Sequence, residues 1–202
     1  MRNRVPNVIG GIIYEPLVRV NPIGRLALIT FAYVQKQLRE DAPETTAIVH
    51  SAAGANSLFY ARNELLLLPE LILGETLQDR RVKIFRNATS DDLEQVLVES
   101  EYQNIILLAG HSTDGSFSLS DRTMYTSDLE SIHFARKQGE VLKLTCDSEG
   151  ADTFATRIAD DPSKVFYFGR PAYGFDLLNY SRNRFLEKLV DRYCRGQPSE
   201  SL

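Results

Sequence analysis

The chain has no Trp, only two Cys and two Met among its 202 residues, and its 23 Lys+Arg are outnumbered by 27 Asp+Glu. Each shortage excludes a class of protein. Cys146 and Cys194 cannot build a disulfide framework, and neither has a second Cys or a His at zinc-ligand spacing, so a reducing, cytoplasmic setting with no metal is expected. A net charge of −4 gives no electrostatic footprint for nucleic acid or an anionic membrane. No apolar run approaches the ~18 residues of a membrane span. The basic start, Met1-Arg2-Asn3-Arg4, meets Pro6, Asn7, Gly10 and Gly11 before a signal-peptide core can form. What is present is ordinary for a globular domain: 43% hydrophobic and 25% charged residues, in a chain long enough to bury a sizeable core.

Three parts are expected: an N-terminal strand and helix extension over 1–44, one α/β domain over 45–195, and a frayed tail over 196–202. Residues 9 to 20 suggest one or two short strands. Asn21-Pro22 then reads as an N-cap followed by Pro at the first helical position, with Leu26, Ile29, Tyr33 or Val34, and Leu38 as the apolar stripe. From Thr45 onward, strand and helix alternate. Strands are expected at 45–50, 81–85, 104–110, 141–145 and 164–168, and helices at 58–73, from Thr89 or Ser90 onward, 126–136, 151–159 and 178–193. A small hairpin fits around Phe117-Ser118-Leu119-Ser120-Asp121 and Met124-Tyr125. Such alternation argues for a mostly parallel sheet of five or six strands with helices on both faces.

In parallel sheets the chemistry gathers beyond the carboxyl ends of the strands. There the sequence places His50-Ser51, Arg86-Asn87, Gly110-His111-Ser112, Cys146-Asp147-Ser148-Glu149-Gly150 and Gly169-Arg170-Pro171. One imidazole and one thiol thus follow consecutive core strands, and strands that pair lie about 4.8 Å apart. A free thiol has a pKa near 8.5, so an adjacent imidazole that takes its proton makes it a nucleophile and can later protonate a leaving amine. The backbone N–H groups of Ser112 and Cys146 are the candidate oxyanion donors. Asp147, Glu149 and Arg170 are candidates for lining a substrate pocket. By contrast, His50 reads as a satisfied surface histidine, His133 as a mid-helix bystander and Cys194 as incidental. Residues 110–115 lack the Gly-Lys-Ser/Thr ending of a Walker loop.

The run Ile105-Ile106-Leu107-Leu108-Ala109-Gly110-His111, then Leu119-Ser120-Asp121 with Met124 to Leu129, then Val141 to Gly150 around Thr145-Cys146-Asp147, resembles the CHAT branch of the caspase-like cysteine peptidases. The similarity runs in order over about 45–180. It implies a caspase-like three-layer α/β sandwich in which His111 is the general base and then acid, Cys146 the nucleophile and backbone N–H groups the oxyanion hole. The substrate would be a protein or peptide, and no cofactor is implied. Ser112 departs from the usual Gly, and Thr145 and Asp147 replace the family's Ala and Glu. Leu144 stands where caspases carry Gln, which leaves the preference for the residue before the scissile bond open. The family's attached helical repeats are missing, which leaves recruitment or activation to a regulatory protein partner.

Two other readings stand beside the peptidase. One is a catalytically idle binding or regulatory module on the same fold. The other is a flavodoxin-like small-molecule binder whose strand-end loops hold phosphate.

Overall fold

The computed structural model describes residues 21–53, 57–109, 112, 115–145, 153–167, 179–185 and 187–188. Five strands, β1 (Thr45–His50), β2 (Arg81–Arg86), β3 (Tyr102–Leu108), β6 (Val141–Leu144) and β7 (Val165–Tyr167), form one sheet in the order β2-β1-β3-β6-β7. All four pairings are parallel. β4 (Ser116–Ser118) and β5 (Thr123–Tyr125) make a separate antiparallel hairpin. The expected strands at 9–20 lie outside the described residues, as does the tail at 196–202.

Period-two alternation sends the strand residues to two cores. Ile48, Val82, Ile106, Leu108, Leu142 and Leu144 pack on one face with helix α1 (Pro22–Gln37) and α3 (Leu68–Thr76). Ala47, Val49, Ile105, Leu107 and Val141 pack on the other with α4 (Ser90–Val98) and residues of the hairpin and of the six-residue helix Thr153–Ile158. Helices on both faces give three layers. β3 is buried at every position but Gln103, as its unbroken apolar run requires of a central parallel strand.

Local chemistry explains the helix ends. Asn21 Oδ1 accepts from the N–H of Ile23 at 2.9 Å, with Pro22 at the first helical position. At α4, Thr89 and Asp92 form a reciprocal capping box. The helical stretch α2 (Ser57–Arg62) to α3 carries a π-helical turn over Asn63–Leu67, and runs to Thr76 rather than to Leu73. Two expectations need correction. The inward side of α1 is formed by Leu28, Ala32 and Tyr33, whereas Leu26, Val34 and Leu38 point outward. The helix at 126–136 stops after Leu129, so His133 is not helical. Ser131 Oγ donates back to the Asp128 carbonyl, and Lys137 then bridges to Ala159 while its Nζ donates to the Glu99 carbonyl at 2.8 Å. The segment leaves the helix through i→i−3 turn contacts and is tied at its far end by that bridge.

The amino end of the sheet holds a buried ion network. Glu75, 1% exposed, accepts from Thr46 Oγ1 at 2.8 Å, Arg80 at 2.9 Å, Arg184 at 2.8 Å and Lys188 at 3.3 Å. Glu140, just ahead of β6, shares Arg80 at 3.0 Å and Arg184 at 2.7 Å. Three cations thus surround Glu75 and Glu140, with Glu44 also on Arg80 at 3.2 Å, and join α3, the start of β6 and the helical residues 179–185 and 187–188. The register of β6 on β3 is set beside this network. Glu140 N–H donates to Asn104 Oδ1 at 2.9 Å, and Gly139 N–H to the Gln103 carbonyl at 3.1 Å. A Cβ on Gly139 would run into the Asn104 side chain and that carbonyl, so only Gly fits the approach.

Candidate active site

β3 and β6 are hydrogen-bonded neighbours, with Leu108 opposite Leu144. The ladder continues past the strands. Ala109 N–H donates to the Leu144 carbonyl at 3.4 Å, Ser51 N–H to the Leu108 carbonyl at 2.9 Å, and Ala88 N–H to the His50 carbonyl at 3.0 Å. Ala109 and Thr145, both buried, therefore leave the sheet side by side at its carboxyl edge. In sequence, His111 follows Ala109 by two residues and Cys146 follows Thr145 by one. His111, Cys146, Asp147, Glu149 and Arg170 themselves lie outside the described residues, so no contact among them is described.

Ser112 is described and is 3% exposed; its Oγ donates to the Ser116 carbonyl at the root of the hairpin. Gly115, at φ 68°, turns the chain into β4, and its carbonyl accepts from the N–H of Thr126 at 2.8 Å and from its Oγ1 at 3.0 Å. The segment after His111 is thus pinned at Ser112 and again at Gly115.

The Leu119-Ser120-Asp121 string has a physical role that spacing does not reveal. Asp121 accepts from the N–H of Ser90 at 2.8 Å and from its hydroxyl, and so serves the first turn of α4 from thirty-one residues away. Hydrogen bonding by the Ser90 hydroxyl holds the Asp121 carboxyl below its usual range. Ser120 N–H donates to the Ala88 carbonyl at 2.9 Å and its Oγ to the Asn87 carbonyl at 2.8 Å. Asn87 sits at φ 50°, a left-handed conformation that Asn tolerates. The hairpin is therefore stapled to the β2–α4 connection. Asp121→Ala is expected to cost about 1 kcal/mol, the usual loss for a helix cap, measured by urea unfolding; an unchanged midpoint would show the staple to be idle.

His50 is fully buried, not on the surface. It ends β1, the strand between β2 and β3, and so is covered from both sides. Its ring stacks on Tyr60 at 4.3 Å, and its Nδ1 lies 3.0 Å from Glu64 Oε1. Burial pushes the Glu64 carboxyl up, but hydrogen bonds from His50 and Arg86 outweigh it and hold the group below its usual range. A carboxylate only accepts, so Nδ1 donates. Arg86 donates its Nε to Glu64 at 3.1 Å and its Nη2 to the Tyr33 hydroxyl, which ties the end of β2 to α1. His50 Nε2 has no hydrogen-bond partner. With no exposed surface, this imidazole clamps β1 and β2 to the helical layer and is not placed to touch a substrate.

Lys143 is another residue that sequence reading passes over. It is fully buried on β6, three residues before Cys146 in sequence. Its neighbours along the strand, Leu142 and Leu144, point to the opposite core. A Lys inside an apolar strand run is easily mistaken for an edge residue, and only the sheet order reveals that β6 is interior.

A cavity of about 210 Å³ is lined by Leu97, Val98, Tyr102, Ala135 and Lys137. It opens at the amino end of β3, away from the edge where parallel sheets do chemistry, so it is not the candidate site. Among the described residues no group of three or more His, Cys, Asp or Glu could hold a metal ion. Comparison of the chain with protein-family models, curated proteins and solved structures finds no match. Among the described residues no helix is long and apolar enough to cross a membrane.

Proposed function

We propose that the protein is a cysteine endopeptidase of caspase-like architecture, acting through a His111–Cys146 dyad in a reducing, cytoplasmic compartment. The observation that supports it most is the pairing of β3 with β6. The two strands that lead in sequence to the imidazole and the thiol are adjacent and in register at their carboxyl ends. In the proposed reaction His111 takes the Cys146 proton and the thiolate attacks the substrate carbonyl. The N–H groups of Ser112 and Cys146 hold the developing negative charge. Collapse breaks the C–N bond, His111 returns the proton to the departing amine, and a thioester remains. Water, deprotonated by His111, then hydrolyses the thioester and frees the thiol. Asp147, Glu149 and Arg170 are proposed to contact the substrate, and a regulatory protein partner to recruit or activate.

The test is selective alkylation combined with a peptide library. Cys146 is expected to react with iodoacetamide at neutral pH much faster than Cys194, because a thiolate reacts and a thiol does not. The library is expected to be cleaved with a preference at one position. Equal labelling of the two cysteines and an uncleaved library would favour the idle regulatory module on the same fold.

One observation favours a second reading. Counting only sheet strands, the order is 2-1-3-4-5, which flavodoxin-like nucleotide binders also use. The hairpin inserted after β3 and the strand-end His and Cys speak for the peptidase. A thermal shift with nucleotides or flavin would speak for the binder.

A further inference from the structure

The cavity of about 210 Å³ at the amino end of β3 plays no part in the proposed hydrolysis, and the charges in its wall are of one sign. Arg136 and Lys137 both line it, and no Asp or Glu does. Lys137 is 5% exposed. Its backbone is fixed from both sides: its N–H donates to the Ile158 carbonyl and its carbonyl accepts from the Asp160 N–H, each at 2.9 Å. Its Nζ donates to the Glu99 carbonyl at 2.8 Å. That sets the ammonium beside the peptide joining Glu99 to Ser100, in a stretch whose Val98 and Ser100 belong to the cavity wall.

A buried lysine is almost always paired with an acid, and an ammonium carries three donors. Among the described residues Lys137 has only the Glu99 carbonyl for its Nζ, and Arg136, exposed beside it, has no hydrogen bond or ion pair. The acids of the adjoining chain are engaged elsewhere, Glu99 accepting from Gln95 Nε2 at 2.8 Å and Glu101 from Arg81 Nη2 at 2.9 Å. Burial pulls Lys137 down to about 8 while the charge of Glu99 raises it, so it is a cation at neutral pH. Tyr102, in the same wall, is fully buried, and its hydroxyl has no hydrogen-bond partner of normal geometry. Burial and the neighbouring Glu101 push that hydroxyl up, so it keeps its proton. Leu97, Val98 and Ala135 give the cavity an apolar side. A hydrated inorganic anion would leave that side unused, and an apolar molecule would leave the cations unused. An apolar cavity of about 150 Å³ takes benzene, so this volume suits a ligand of roughly eight or nine non-hydrogen atoms.

We propose that this cavity is a binding site for a small organic carboxylate, its carboxylate held by Lys137 and Arg136 and its apolar body set against Leu97, Val98 and Ala135. The site does not depend on the peptidase reading. The test is calorimetric titration of the full chain with benzoate, an acid of the right size, beside benzamide, its uncharged isostere, and inorganic phosphate. Benzoate is expected to bind at one site with a Kd on the order of 1 mM or tighter and to raise Tm. Benzamide and phosphate are expected to bind at least about tenfold more weakly, the first for want of charge and the second for want of an apolar body. Lys137→Met is expected to weaken benzoate by at least about tenfold. Because Lys137 also holds the Glu99 carbonyl, Arg136→Gln, at an exposed position, is the second variant; it is expected to weaken benzoate severalfold and leave the unliganded Tm unchanged. Three outcomes overturn the proposal: no saturable binding of benzoate by the parent; benzamide or phosphate binding as tightly as benzoate; or unchanged benzoate affinity in Arg136→Gln and in folded Lys137→Met, which would put the ligand elsewhere.

Discussion

Cys146→Ala is expected to abolish peptide-bond hydrolysis and His111→Ala to lower kcat/KM by a factor on the order of 10⁴ or more, with thermal unfolding unchanged in both. The two variants remove different halves of one device. Without the thiol there is no nucleophile and no thioester. Without the imidazole the thiol is mostly protonated at neutral pH, and the departing amine has no proton donor. Because the pair acts as a unit, the double variant should be no slower than Cys146→Ala alone. Substrate binding should survive in Cys146→Ala, so that variant is also the one to use for trapping a substrate. Hydrolysis retained in Cys146→Ala would end the peptidase proposal, which rests on that one nucleophile.

The second large effect is on stability. Glu75→Ala leaves Arg80, Arg184 and Lys188 facing one another with Glu140, and Glu44 at Arg80, as their remaining carboxylates. Loss of one partner from a buried ion network costs about 3–5 kcal/mol. For a chain of this size that is a fall in Tm of about 10 °C. Lys188→Met should cost less, since Arg80 and Arg184 still hold Glu75. Burial pulls Lys188 down to about 8 even though Glu75 opposes it.

The same carboxylates set the acid limb. Burial would push Glu75 up, but Lys188, Arg184 and Arg80 outweigh it and hold the group far below the usual carboxylate range. Burial also pushes Glu140 up, and the hydrogen bond and charge of Arg184 bring it down to about 2. A carboxyl depressed in the folded state stabilises above its unfolded pKa and loses that contribution as pH falls toward its folded one. Stability measured by urea unfolding should therefore decline from about pH 4.5 towards pH 2, and Glu75→Ala should flatten that decline. An unchanged Tm in Glu75→Ala would show that the geometry of the network does not translate into stability.

Much of this was legible in the residues because it is local. β1 spans Thr45–His50 as its β-branched run indicates, and the capping box at Thr89 is where the acids of the first turn suggest. What escaped is non-local. The two apolar stripes on α1 compete on periodicity alone, and only the position of the sheet decides which is inside. His50 is polar and follows a strand, so it reads as surface until β2 and β3 are known to flank β1. Glu75 and Lys188 are 113 residues apart, and nothing in their spacing announces a contact. For the candidate site, the adjacency of β3 and β6 follows from strand order, while the nature of the two side chains was legible from the start.

The notch where Gly139 meets Asn104 lies at the opposite end of β6 from Cys146, yet it constrains what emerges there. Counting from that fixed point, the chain reaches Cys146 after seven residues. A single inserted or deleted residue within β6 would reverse which side chains face each core and would deliver a different residue to the carboxyl edge. The stretch between Leu129 and Lys137 carries no such count, because it is held at its ends and by Ile132 and Phe134 packed on the core, not by a ladder. Length variation in a working protein of this kind should therefore collect before Lys137 and be absent between Gly139 and Cys146. That pattern can be tested directly by scanning single-residue insertions through 130–146 and scoring folded yield.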